Sequence, residues 1–224
     1  MVTRMLITFD AYTALVDCEA GLVPAVREAC GEAVDAVQLA RAWRAKQLEY
    51  AQVSNSLQRG RIPFRLVTRR AMDYTFARAG VELTGEQSAA LEAAWDRLPP
   101  WPEAKATLAE LKARGYRLGI LSNGDEEMLR ALAGASGIDF DHILASDHAG
   151  HYKPHPSVYA LPRERLRLEP REVLHVAGSA TDVLGCKLAG LPCAWSNRHG
   201  DRMIDPGVRA DREMRDLAGL LEFL

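Results

Sequence analysis

Apolar residues follow two different rhythms along this chain. Short runs with little alternation occur at RMLITFD from Arg4, YRLGILSN from Tyr116, HILAS from His142, EVLHVAG from Glu172 and PCAWSN from Pro192. Each is rich in Val, Ile or Leu, the pattern of strands covered on both faces. Between them lie helical patterns. PEAKATLAELKARG has Pro near its first turn and Gly at its end, and DEEMLRALAGASG opens on acids and also stops at Gly. Strands alternating with helices predict an α/β fold, a Rossmann-like open sheet that is mostly parallel.

One long interval, from Cys18 to about Leu98, contains no strand pattern. EAGLVPAVREACG, DAVQLARAWRAKQLEYAQVSNSLQ, PFRLVTRRAMDYTFARAG and TGEQSAALEAAWDRL instead repeat apolar residues at three- and four-residue spacing. Four helices inserted directly after the first strand would cover that strand's C-terminal end, where ligands bind in such sheets. The expected organisation is a catalytic core over 1–16 and 99–224 and a helical cap over 17–98. Helices that merely cover a face of the sheet are the plainer reading of the same interval.

Composition narrows the function classes. The 224 residues carry a formal net charge of -2, with 48% hydrophobic and 26% charged residues. This is a globular balance without the basic surplus that nucleic-acid binding calls for. Apolar runs stop short of bilayer length, and Arg4 and Asp10 bracket the first one too closely for a secretory segment, so a cytoplasmic protein off the membrane is expected. Cys18, Cys30, Cys186 and Cys193 form no C-x-x-C pair, which argues against zinc and for reduced, mostly buried thiols.

Candidate chemistry lies after the strands. Asp10-Ala11-Tyr12, Ser122-Asn123-Gly124, Tyr152-Lys153-Pro154 and Gly178-Ser179-Ala180-Thr181-Asp182 each follow a predicted strand. In a parallel sheet these ends share one edge, so two carboxylates, an ammonium and a hydroxyl-amide pair can meet in one pocket. Asp10 is the candidate nucleophile and Lys153 its charge partner. Taken singly, Asp10 could cap a turn, Lys153 could be solvated, and Asp182 could cap a helix starting near Thr181. Ser122 and Asn123 are expected at the start of a helix, in an anion site. His148, His151 and His155 lack ligand spacing and read as loop residues.

The order of these strings resembles the haloacid dehalogenase superfamily, and within it the L-2-haloacid dehalogenase branch. The likeness rests on FDAY at Phe9, WRAKQLEY at Trp43, LSNG at Leu121, YKPHPSVY at Tyr152, AGSATD at Ala177 and WSNRHG at Trp195. Phosphatases of the superfamily carry an acid where this chain has Tyr12, to protonate an alkoxide that a departing halide does not require. They also usually carry an acid at the place of Gly178, which helps hold magnesium. Both replacements point to metal-free chemistry at carbon. The resemblance implies that Asp10 displaces halide from a short 2-haloacid, forming an aspartyl ester that water opens with help from Asp182. It assigns catalysis to Asp10, Lys153, Asp182 and Arg44, the last at the departing halide. Tyr12, Ser122, Asn123, Tyr159 and Ser179 fall to substrate binding, with Asn123 also near the halide. No cofactor is implied, and the family pattern suggests a homodimer through the cap helices.

The chain departs from the branch in three places. Ala14 stands where FDAYGTL has a Thr, leaving Thr13 as the candidate replacement hydroxyl. Ala177 and Ser179 stand where a Ser and an Asn are common, which puts ester turnover in question. Two other functions remain open on this sequence. One is a phosphatase for a small metabolite, with Mg2+ on Asp10, Asp182 and a backbone oxygen. The other is a binding protein that keeps the pocket without turnover.

Overall fold

The computed structural model describes residues 5–57 and 60–224. Arg4, where the first predicted strand begins, and Gln58, where the second long helical pattern ends, lie outside the described residues. The chain runs through β1 (Leu6–Phe9), a π-turn (Ala11–Leu15), α1 (Cys18–Cys30), α2 (Ala36–Ser54), α3 (Phe64–Arg78) and α4 (Gly85–Ala94). It continues with α5 (Ala104–Ala113), β2 (Arg117–Ser122), α6 (Glu126–Ser136), β3 (His142–Ala145), α7 (Pro156–Tyr159) and α8 (Leu161–Leu166). The last part holds β4 (Val173–Ala177), α9 (Ala180–Leu188), β5 (Cys193–Ser196) and β6 (Arg212–Met214).

The strands form one parallel sheet in the order β3-β2-β1-β4-β5-β6. Every residue of β1 is buried, because the strand lies mid-sheet with layers on both faces. Ile7 and Phe9 join one apolar cluster, while Leu6 joins a second on the opposite face with Val173, Leu121 and Trp195. Five of these strands match the apolar runs of the sequence. The sixth does not: β6 is a three-residue edge strand with two exposed charged residues, and such an edge needs no apolar run.

Strand order reverses between β1 and β4, so their C-terminal ends open a crevice at the topological switch point. Asp10 follows β1 directly, and the β4–α9 turn faces it across that crevice.

Helices α1 to α4 occupy the interval between β1 and α5, and their apolar faces meet around Trp43. This ring is fully buried, edge-on to both Phe76 and Trp95, and its Nε1 donates to the Thr68 carbonyl at 2.9 Å. The same cluster runs on through Tyr12 to Phe9 and Ile120 of the sheet. The four helices therefore share one core with the strands beneath them. No helix among the described residues is long and apolar enough to cross a membrane.

A polar latch ties α3 to the sheet. The helix starts at Pro63, which offers no side-chain cap. The Asp125 carboxylate supplies one from the far side of the fold, accepting from the amides of Phe64 and Arg65 at 2.9 Å each and from Arg61 at 2.6 Å. Arg61 also donates to the Gly124 carbonyl and lies over the Tyr152 ring. Burial alone would raise the Asp125 pKa, but the Arg65 and Phe64 amides and then Arg61 hold it below the usual aspartate range. Asp125→Ala removes both the cap and the partner of a largely buried arginine, and is expected to cost about 2–4 kcal/mol in urea unfolding. Because the native pKa is depressed, the Asp125 contribution is complete above the ordinary aspartate value. It fades as pH falls below about 4 toward the native value, so the gap between wild type and variant should narrow there.

Candidate active site

Asp10 ends β1 with extended backbone and opens the π-turn as its N-cap. Each of its oxygens accepts two hydrogen bonds. Oδ2 accepts from the Thr13 amide at 3.0 Å and the Thr13 hydroxyl at 2.5 Å. Oδ1 accepts from Ser122 Oγ at 2.9 Å and from Lys153 Nζ at 3.2 Å. Asp10 thus caps its turn and also sits at the focus of three other strand ends. Thr13 supplies the hydroxyl that Ala14 lacks.

Lys153 Nζ stands between the two carboxylates, 3.2 Å from Asp10 and 2.9 Å from Asp182. Burial works against its charge, but Asp182 and then Asp10 outweigh that and hold the ammonium above the ordinary lysine value. For Asp182, burial would raise the pKa, yet Lys153 and then His175 keep its carboxyl far below the usual range. Tyr159 Oη donates to the other oxygen of Asp182 at 2.7 Å. A carboxylate this well satisfied is a weak base and a strong counter-charge.

Two sequence expectations change in detail. Ser179, not Asp182, caps α9: its hydroxyl accepts from the Asp182 amide at 3.3 Å, leaving the carboxylate free for Lys153. Ser122 and Asn123 precede α6 without starting it, since β2 runs to Ser122 and Asp125 is the cap residue. Ser122 Oγ donates its proton to Asp10. Asn123 Oδ1 accepts from the Lys153 amide at 2.7 Å and fixes the lysine loop, leaving only its NH2 end for a ligand. Tyr159 is buried against α9 and donates to Asp182.

Beside this cluster lies a cavity of about 640 Å³, bordered by Tyr12, Thr13, Cys18, Arg44, Gly178 and Arg198. The Arg44 guanidinium is 5.4 Å from the Tyr12 ring centroid and 5.5 Å from that of Trp95. Gln47, fully buried and bonded to Thr68, accepts from Arg44 at 2.5 Å and aims it. Tyr12 and Trp95 meet edge-on, and Tyr12 Oη and Trp95 Nε1 are buried with no hydrogen-bond partner among the described residues. Burial pushes the Tyr12 phenol far above its ordinary pKa, with Arg44 opposing, so it stays a neutral donor. A guanidinium beside unpaired neutral donors is suited to an anion with little proton affinity.

Magnesium does not fit this arrangement. Lys153 Nζ lies between Asp10 and Asp182, and the position that would supply a further acid is closed. A Cβ on Gly178 would meet the Thr13 backbone carbon at 2.4 Å and the Ala14 amide nitrogen at 2.6 Å, so no acid can stand there without moving the Asp10 turn. Among the described residues no group of three or more His, Cys, Asp or Glu is arranged for a metal.

Thr8, Gln47, Trp95 and His175 were not singled out by the sequence. The available signal was strongest for His175, an ionisable side chain inside an otherwise apolar, covered strand.

Comparison with known proteins agrees with this geometry. Residues 5–190 match the family model of haloacid dehalogenase-like hydrolases. The chain is 34% identical to an (S)-2-haloacid dehalogenase of Pseudomonas sp. (strain YL), over 96% of this chain and 92% of that protein. It is also 34% identical to haloacetate dehalogenase H-2 of Moraxella sp. (strain B), over 92% of this chain and 91% of that protein. The fold superposes with a TM-score of 0.88 on the L-2-haloacid dehalogenase of Xanthobacter autotrophicus with chloropropionic acid covalently bound. That pair is 30% identical, covering 98% of this chain and 97% of the other.

The close approach at Gly178 is directly testable. Gly178→Ala is expected to cost about 1–3 kcal/mol of stability by overpacking. It should also cut activity by more than its effect on folding, because the strained contact is the turn that orients Asp10. Urea unfolding alongside turnover assays reads both.

Proposed function

Since the chain belongs to the haloacid dehalogenase-like hydrolases, we propose that it converts short 2-haloacids to 2-hydroxyacids through an ester on Asp10. One observation carries the reading: Tyr12 stands where a phosphatase of this fold would carry the acid that protonates an alkoxide, and Gly178 is packed too tightly against Thr13 and Ala14 to be replaced by the acid that would help hold a metal. A halide leaves as a weak base and needs no such proton.

The steps follow from the geometry. An oxygen of Asp10 attacks C2 from the side opposite the halogen, the new C–O bond forms, and the halide departs with the electron pair of the broken bond. Thr13, Ser122 and Lys153 hold the carboxylate in place and exclude the loose hydration that makes a free carboxylate a poor nucleophile. Arg44, with the free donors of Tyr12 and Trp95, receives the halide, and the Asn123 amide lies toward the substrate carboxylate. Water then attacks the ester carbonyl of Asp10, where Lys153 stabilises the developing negative charge. Asp182 keeps Lys153 charged and in register. Dividing the displacement in two lowers each barrier.

In the same reading, residues 17–98 act as a cap that closes the crevice over Asp10, supported by the Asp125 latch and the aromatic contacts of Tyr12 with Phe64 and Trp95. Val53, Leu57, Leu66 and Tyr74 leave apolar surface exposed on or beside α2 and α3, which supports a homodimer through that face. Four unpaired cysteines suit a reducing, cytoplasmic setting.

The test is a panel of chloroacetate, 2-chloropropionate, fluoroacetate and p-nitrophenyl phosphate, each with magnesium and with chelator. Halide release that is unchanged by chelator, and lost in Asp10→Asn, is expected. Magnesium-dependent phosphate release with all haloacids untouched would overturn the reading.

A further inference from the structure

Strand β4 carries one polar side chain, His175, among Val173, Leu174, Val176 and Ala177, and the steps above give it no task. Its ring is fully buried. Nδ1 lies 3.0 Å from the hydroxyl of Thr8, the paired residue on β1. Nε2 lies 3.0 Å from Lys153 Nζ and 3.0 Å from Asp182 Oδ2.

The two neighbours of Nε2 make opposite demands. An ammonium only donates, and an ionised carboxylate only accepts. As N–H, Nε2 serves Asp182; as a lone pair, it serves Lys153. Thr8 Oγ1 both donates and accepts, so it satisfies Nδ1 in either tautomer. Burial, and then the charge of Lys153, hold the ring pKa below the ordinary histidine value, which keeps it neutral. With the ring proton on Nδ1 and donated to Thr8, Nε2 is a buried acceptor for Lys153 that adds no charge to the site. No other side chain of β4 or of the turn after it supplies this contact: Ala177 has no polar group, and Ser179 is spent on capping α9.

We propose that His175 is a positioning residue for opening the ester, resting on the reading of Asp10 as nucleophile. Alkylation removes the negative charge of Asp10. Lys153 then loses one of its two anionic partners and would be drawn onto Asp182. By accepting from Lys153 through Nε2, His175 gives the ammonium a second fixed contact beside Asp182 and keeps it near the ester carbonyl. Water adds to that carbonyl carbon and the bond from it to the substrate oxygen breaks. One proton of the water ends on the departing hydroxyacid, the other is released, and Asp10 returns as carboxylate.

The experiment compares wild type, His175→Phe, His175→Gln and Thr8→Val with 2-chloropropionate. It measures kcat, the initial burst of chloride, and by mass spectrometry the share of the Asp10 peptide carrying ester at steady state. In His175→Phe, kcat should fall about 10- to 100-fold, the scale of one lost hydrogen bond to a charged group. The burst should persist and the ester accumulate. His175→Gln, which can donate and accept, should regain most of the loss, and Thr8→Val should raise the ester share more modestly. A purely structural role would slow burst and turnover together without raising the ester share, and that result overturns the proposal, as does a wild-type ester share in His175→Phe. Should the Phe variant fail to fold, an unchanged ester share in Thr8→Val overturns it. If wild type releases halide without ever esterifying Asp10, the parent reading falls and takes this one with it. If wild type esterifies Asp10 and the His175 variants match it, only the positioning role falls.

Discussion

A buried ammonium is costly unless its surroundings repay the lost hydration, and this fold is organised around one. Lys153 is 5% exposed and finds Asp10, Asp182 and His175 within 3.2 Å. Removing any partner would leave charge without compensation in a dry site. The demand reaches back to the sheet. Asp10 ends β1, Lys153 follows β3, His175 lies within β4, and Asp182 is set by the cap of α9. All four meet only because β1 and β4 are adjacent and parallel in one register. The Asn123 contact to the Lys153 amide then ties the lysine loop to the end of β2.

Packing beside the ion cluster bears on which chemistry the pocket favours: Gly178 leaves no room for the acid that a metal would need. Around it the walls change from charged to aromatic. Tyr12 belongs to both regions: its backbone forms the turn that Asp10 caps, and its ring packs on Phe64 and Trp95 of the helical layer. Closure of the helices over the sheet and alignment of the nucleophile are therefore one packing event, reinforced at a distance by Asp125.

Much of this was legible in the residues because parallel strands deliver their C-terminal ends to one edge. Runs such as LITF and LGIL mark covered strands, and the polar residues just after them converge wherever the strands pair. The helical interval was legible from its period, and the exchange of an acid for Tyr12 from its spacing to Asp10. Other features leave no local mark. The hydroxyl missing at Ala14 reappears on Thr13 because the π-turn carries that side chain onto Asp10. Asp125 sits where α6 begins but spends its carboxylate on α3, a pairing across 60 residues of chain that no window reveals. Tyr159 and Ser122 donate to Asp182 and Asp10, contacts that depend on side-chain packing that spacing does not encode. His175 was hidden by its own neighbours, whose apolar run fits a buried strand.

The central claim is that Asp10 itself, and not an activated water, makes the first bond to the substrate carbon. A single turnover of 2-chloropropionate by excess enzyme in oxygen-18 water tests it most directly. The account predicts that the heavy oxygen enters the side chain of Asp10 and that the first hydroxyacid released carries ordinary oxygen. Heavy oxygen in that first product, with the Asp10 peptide unlabelled, would contradict it.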